Sequence, residues 1–214
     1  MNYFKQTSWL ALCLPLMACG SPADKASNAP STEETASNPV IETILTRRSI
    51  RKYLPQAVER EKMQQIVACG IQAPNAMNKQ PWEIRVVDNP DFINGVTELF
   101  KQENPKQAED PNFKNMFRNA PTVVFVGHDT SSSSSAFDCG LLSENMMISA
   151  WSMGIGSCCL GGPARFMTQP AAAEYLKKLA FSEGYELLYC IAFGYPDETP
   201  EAKPRDTSKI RFVE

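Results

Sequence analysis

The chain has 214 residues, 43% hydrophobic and 21% charged, which are the proportions of one globular domain with a substantial core and not those of a disordered or fibrous chain. A formal net charge of -3 gives no global electrostatic reason to bind nucleic acid, which needs a basic face. With His128 as the one histidine, neither a hydrolytic triad nor a metal site has its usual side chains to draw on.

At the start, Lys5 precedes the apolar run "WLALCLPLMA", which ends at Leu16, Met17, Ala18 and Cys19. The pattern resembles a bacterial lipoprotein signal: residues 1–18 as the peptide, Cys19 as the lipidated first residue of the mature chain. The run is shorter than the roughly 20 residues of a membrane span. Residues 19–38, rich in Ser, Ala, Pro, Asn and Thr, lack the apolar side chains to order themselves and are read as a flexible tether. The expected product is an exported protein anchored to a membrane of the cell envelope, with its folded domain at 39–214.

Within that domain, Val40, Ile41, Ile44 and Leu45 recur at helical spacing behind Pro39. This predicts a helix running into "TRRSIRKYLP", where Arg47, Arg48, Arg51 and Lys52 crowd around Ser49. Four cations so close repel one another unless water or an anion lies among them. In an acidic chain the cluster is local and sized for a small anion. A second helix is expected in "REKMQQIVACGIQAP", stopped by Pro74, and then a strand in "WEIRVVD" with Trp82 in the core.

Asn89-Pro90 turns the chain into residues 91–119, which read as helical but polar, interrupted by Pro105 and Pro111, and predict a weakly packed, mobile lid. "APTVVFVGHD" is a nearly unbroken apolar strand. "AFDCGLLSENMMISAWSMGIG" is expected to be a central helix buried on most sides, with Asp138 and Glu144 paired internally or facing a second copy. A glycine-rich turn is expected in "SCCLGGP", followed by a helix in "QPAAAEYLKKLAF", a strand in "YELLYCIAFGYP" and a polar tail. "GIGSCCLGG" has neither the spacing nor the preceding strand of a dinucleotide fingerprint or a phosphate-binding loop.

Cys69, Cys139, Cys158, Cys159 and Cys190 remain after the signal and anchor, an odd number that excludes complete pairing within the chain. Cys139 and Cys190 lie in apolar stretches and are read as buried small side chains. A redox role for the adjacent Cys158 and Cys159 is the lesser reading.

Four pieces, "RRSIR", "APNAMNKQPW", "DCGLLSENMMISAWSMGIGSCCLGG" and "FGYPDETPEAKPR", resemble in this order the nitroreductase family of FMN-dependent oxidoreductases, from Ile41 to Arg205. The resemblance implies an α+β three-layer fold, a central mostly antiparallel sheet flanked by helices, in a homodimer with FMN at its interface. It implies that Arg47, Arg48, Ser49 and Arg51 contact FMN and that Lys203 and Arg205 form a phosphate-binding pair. It places Pro74, Asn75, Ala76 and Asn78 along the flavin edge, and Gly161 and Gly162 beside flavin N5. The implied activity is ping-pong reduction of a small electrophilic acceptor, nitroaromatic or quinone-like, with no side chain assigned as catalytic. A reductive dehalogenase or flavin-cleaving enzyme of the same fold, or a non-catalytic ligand-binding surface lipoprotein, are the alternatives.

Overall fold

The computed structural model describes residues 38–214; the predicted signal peptide, Cys19 and the tether up to residue 37 lie outside them. Strands β1 (Trp82–Val87), β2 (Thr122–Asp129), β3 (Gly156–Leu160) and β4 (Tyr185–Gly194) form one sheet in the order β1-β2-β4-β3. All three pairings are antiparallel, with Phe125 opposite Arg85 on one side and Cys190 on the other. The helices are α1 (Pro39–Thr46), α2 (Arg60–Gly70), α3 (Pro90–Glu103), α4 (Pro105–Ala108), α5 (Ser135–Ser152), α6 (Gly161–Met167) and α7 (Ala173–Lys178).

The unbroken apolar run of β2 follows from burial on both faces. Val123 and Phe125 pack with Ile93, Val96, Phe117 and Met167, whereas Val124 and Val126 pack with Ile66, Leu142, Met146 and Phe193. An antiparallel strand ordinarily alternates apolar and polar residues because one face meets water; helices on both sides remove that alternation. Trp82 is in the second of these clusters, as expected.

Asn38 caps α1 by accepting N–H bonds from Val40 and Ile41, and Pro39 occupies the first turn. The apolar side chains of α1 are nevertheless 50–68% exposed. The central helix α5 also departs from expectation. It buries Cys139, Leu142, Met146 and Ala150 on one face, but Phe137 is exposed and Leu141 and Met147 are half-buried on others. A helix facing the core on every side would show none of this.

Two further expectations are corrected. The segment 91–119 is not weakly packed throughout: Ile93, Val96, Met116 and Phe117 anchor its two ends in the core, while residues 105–112 are exposed. The polar residues that suggested solvation close the loop instead. Asn119 accepts from the backbone of Lys114 and Asn115 and donates to Asn112, while Asn115 donates to Ala120 and accepts from Phe117. Asparagine amides replace a ladder that the backbone lacks here. "SCCLGGP" is not a turn: its first four residues complete β3, and α6 begins at Gly161.

Candidate functional site

The arginine cluster is built by an abrupt end to α1. Arg47 leaves the helix with ψ 136, an extended value, so the following residues run along the sheet. Ser49 bridges Ser157 in parallel, and Ile50 N–H donates to the Ser157 carbonyl at 3.0 Å. Ile50 is fully buried against Gly156, where an added Cβ would stand 2.7 Å from Ile50 Cγ1. Glycine is needed there for the loop to lie this close.

The chain leaving β4 then runs beside this loop. Leu54 N–H donates to Tyr195 and Asp197 N–H to Lys52, at 2.9 and 3.0 Å. Glu198 Oε1 accepts the backbone N–H groups of both Arg51 and Lys52. The Tyr53 hydroxyl donates to the Ile50 carbonyl, and burial holds its pKa far above the usual tyrosine value, so it remains a donor. These bonds carry Lys203 and Arg205 back to the end of α1.

The result is a cavity of about 180 Å3 lined by Arg47, Arg48, Ser49, Arg51, Lys203 and Arg205, with Pro200 and Glu201. Five cations face one carboxylate, an arrangement that favours an anion with several acceptor oxygens. The two adjacent arginines differ in what they already do. Arg48 Nη1 donates to the carbonyls of Leu45 and Arg47, both at 2.8 Å, and so satisfies the open end of α1. Among the described residues Arg47 bonds to no carbonyl; its Nε lies 3.4 Å from Glu144 of α5. Sequence reading did not find Glu198, which lay in what read as a polar tail; it left Glu144 to pair internally or face a second copy, and that its partner is Arg47 depends on how α1 meets α5.

The loop at 74–80 belongs to the other end of α5. Asp138, 1% exposed, accepts from Ala76 N–H and the Ser134 hydroxyl. Asn75 braces its own loop, accepting from Gln80 N–H and donating to the Ala73 carbonyl. Met77, Asn78 and Gln80 have φ of 53, 54 and 49. Left-handed backbone at Met77 and Gln80 costs on the order of 1–3 kcal/mol each and marks a loop held in shape by its surroundings. Pro74 and Asn78 are exposed, and the Asn78 amide makes no hydrogen bond among the described residues. The cavity around Arg47 contains no residue of 74–78. Along α5, Asp138 lies about 9 Å of helix rise from Glu144 and about 20 Å from Trp151, whose Nε1 donates to Thr46. One chain therefore does not gather all the predicted residues into one cavity.

Gly161 and Gly162 open α6, and an added Cβ at either meets no atom of the chain within 4 Å. Internal packing does not demand glycine there, and the missing side chains leave this backbone open to close approach. Gly162 lines a second cavity, of about 490 Å3, together with Arg51, which borders both cavities.

The cysteines make no disulfide among the described residues. Cys158 is buried and Cys159 exposed; as neighbours in a strand they point to opposite faces of the sheet. Burial, and secondarily the charge of Asp138, pushes the Cys139 thiol up to about 12; burial raises Cys190 as well. Iodoacetamide at pH 8 is accordingly expected to leave Cys139 and Cys190 unmodified in the native protein and to modify both after unfolding, which peptide mass spectrometry reads directly.

The Nitroreductase family model matches residues 44–195. Among solved structures, a nitroreductase with bound FMN from Desulfitobacterium hafniense superposes with a TM-score of 0.73 at 27% identity, covering 83% of this chain and 100% of that one. A nitroreductase with bound FMN from Bacteroides fragilis gives 0.72 at 26%, covering 83% and 100%. An NADPH-flavin oxidoreductase from Vibrio harveyi is 28% identical over 173 residues, 78% of this chain and 70% of the relative.

Proposed function

Because the chain belongs to the nitroreductase family, we propose that it is an FMN-dependent oxidoreductase that holds the flavin phosphate in the Arg47 cavity and reduces a small electrophilic acceptor, nitroaromatic or quinone-like. The five-cation cavity carries this reading. A phosphomonoester bears close to two negative charges at neutral pH and three acceptor oxygens. Arg47, Lys203 and Arg205 supply charge and Ser49 a hydroxyl, while Arg48 fixes the helix end from which Arg47 departs. Bound FMN supplies reversible two-electron chemistry, from a hydride donor to the acceptor by ping-pong turnover.

The chain's own residues bind and orient. Arg51, between the two cavities, is placed to face the flavin beyond its phosphate. Gly161 and Gly162 let the ring approach the backbone at the start of α6. The 74–78 loop of a second copy completes the site, with the Asn78 amide offered to the flavin edge, because within one chain that loop lies away from the Arg47 cavity. No side chain is assigned proton transfer. Purified protein should be yellow, bleach on addition of a reductant and recolour with an acceptor. Colourless protein that takes up no added FMN would remove the reading in favour of a ligand-binding module.

Homodimerisation is supported by apolar surface that the single chain leaves uncovered: Val40, Ile41, Ile44 and Leu45 on α1 and Phe137 on α5, all 50% or more exposed. Light scattering on residues 39–214 is expected to give twice the chain mass. Ile44→Asp should shift it toward monomer and weaken FMN binding in parallel; a monomer that binds FMN tightly would contradict shared sites.

The reading also includes export and anchorage through Cys19. Soluble nicotinamide cofactors are scarce outside the cytoplasm, so another reductant would then serve the flavin. Cells fed radioactive fatty acid should label the protein and lose the label in Cys19→Ala; an unlabelled, soluble protein in both would refute the anchor.

A further inference from the structure

Beyond the phosphate cavity, the larger cavity of about 490 Å3 carries its own charge pattern. Lys52 and Arg118 line it beside Arg51, and Asp110 is its one acid. Neither Lys52 nor Arg118 has an ion-pair partner among the described residues. The Asp110 carboxylate already accepts the N–H of Asn112 in its own turn. Arg51 and Arg118 are close enough to act electrostatically on the same two buried groups, Tyr53 and Cys158.

Arg118 is also held in place by backbone geometry. It and Asn119 both have φ 61, a left-handed pair on which the Asn119 amide, with its three hydrogen bonds, closes the loop. Non-glycine residues occupy this region only when their surroundings impose it. The strained turn places a guanidinium with no ion-pair partner among the described residues in the lining of a cavity that is also aromatic. There Phe113 stacks on Phe100, with ring centroids 5.8 Å apart and planes at 29°.

Resting on the oxidoreductase reading, we infer that this cavity selects a planar acceptor bearing an anionic substituent, a carboxylate or its equivalent, with the ring against Phe113 and the charge at Lys52 and Arg118. Gly162 in the same cavity sets the reducible group near the flavin. For a nitro acceptor the balance is simple. The nitro group gains two electrons and two protons and becomes a nitroso group and water, with the electrons drawn through the flavin from the reductant.

The test compares 4-nitrobenzoate with 4-nitrobenzamide as oxidants of the FMN-loaded full chain reduced beforehand with dithionite, following flavin reoxidation at limiting oxidant. The ratio of the two rate constants is divided by the ratio for free reduced FMN, which removes intrinsic reactivity. Because a carboxamide withdraws electrons more strongly than a carboxylate, any preference for the benzoate runs against that reactivity. The corrected ratio is expected to favour 4-nitrobenzoate by about tenfold, the worth of one charge-assisted contact, and to fall as salt screens it. It should drop toward unity in Arg118→Gln and Lys52→Gln, with FMN affinity retained.

A corrected ratio near unity in the unaltered protein overturns the inference and leaves the oxidoreductase reading standing. So does a ratio unchanged in both variants, or an FMN affinity in Arg118→Gln reduced as far as in Arg47→Ala, which would move Arg118 into the cofactor site. If the protein takes up no FMN, the oxidoreductase reading fails instead. Equilibrium dialysis of labelled 4-nitrobenzoate against the unaltered chain and Arg118→Gln then decides the cavity by itself, equal binding counting against it.

Discussion

Arg47→Ala is expected to weaken FMN binding by about ten- to 150-fold, corresponding to the loss of one charge-assisted hydrogen bond of about 1.5–3 kcal/mol. Arg205→Ala should behave similarly, whereas Arg48→Ala should change affinity far less. The difference follows from the bonds each side chain already makes. Arg48 is committed to the carbonyls of Leu45 and Arg47 at the end of α1. Among the described residues Arg47 has one ion pair, to a Glu144 side chain that is 46% exposed, where solvent screening leaves it weak. Fluorescence titration of FMN into the three apoproteins reads the contrast. Equal losses in all three would mean that the cluster acts as a diffuse positive surface and not through aimed donors.

Phe117→Ala should destabilise the whole domain by about 3–5 kcal/mol, the usual cost of removing a fully buried aromatic ring. Phe117 is 0% exposed and meets Phe125 of β2 edge-on, with centroids 5.7 Å apart. Its loss leaves a cavity between residues 112–120 and the sheet that rigid neighbours fill poorly. Denaturant unfolding followed by both near- and far-UV circular dichroism should show one transition with a lower midpoint and an unchanged slope. A loose flap would behave differently: the global midpoint would stay put and the segment alone would melt earlier. The outcome therefore distinguishes a packed segment from the mobile lid that its polarity suggests.

What could be read from the sequence is what depends on neighbours along the chain. Pro39 at the start of α1, the apolar run of β2 and the breaks at Pro74 and Pro90 are local signals. So is the need for the chain to leave helical geometry at Arg47 if Arg47, Ser49 and Arg51 are to converge. The misreadings share a different cause. Asn115 and Asn119 are polar in composition, yet they act as backbone substitutes, and only the folded loop shows which N–H groups they reach. "SCCLGG" looks like a turn because of its glycines, but Ser157 and Cys158 are fixed as strand by pairing with Phe193 and Ala192, some 35 residues away. The candidate site was visible as residue types in the right order. Its division between the Arg47 cavity and the 74–80 loop was not, because that division depends on where α5 carries each end.

The bond from Glu198 to Arg51 joins residues separated by 147 positions. Closing so long a loop is entropically unfavourable until the intervening sheet and helices have formed. The anion cavity is thus one of the last parts of the domain to take shape in refolding, since Lys203 and Arg205 follow every strand in the chain. On the proposed site, FMN would engage all its donors only on chains that have reached that point. Cofactor capture then serves as a readout of finished folding, and by mass action it holds back the reverse step: at a hundredfold excess over its dissociation constant a ligand adds about 2.7 kcal/mol to the stability of the state that binds it.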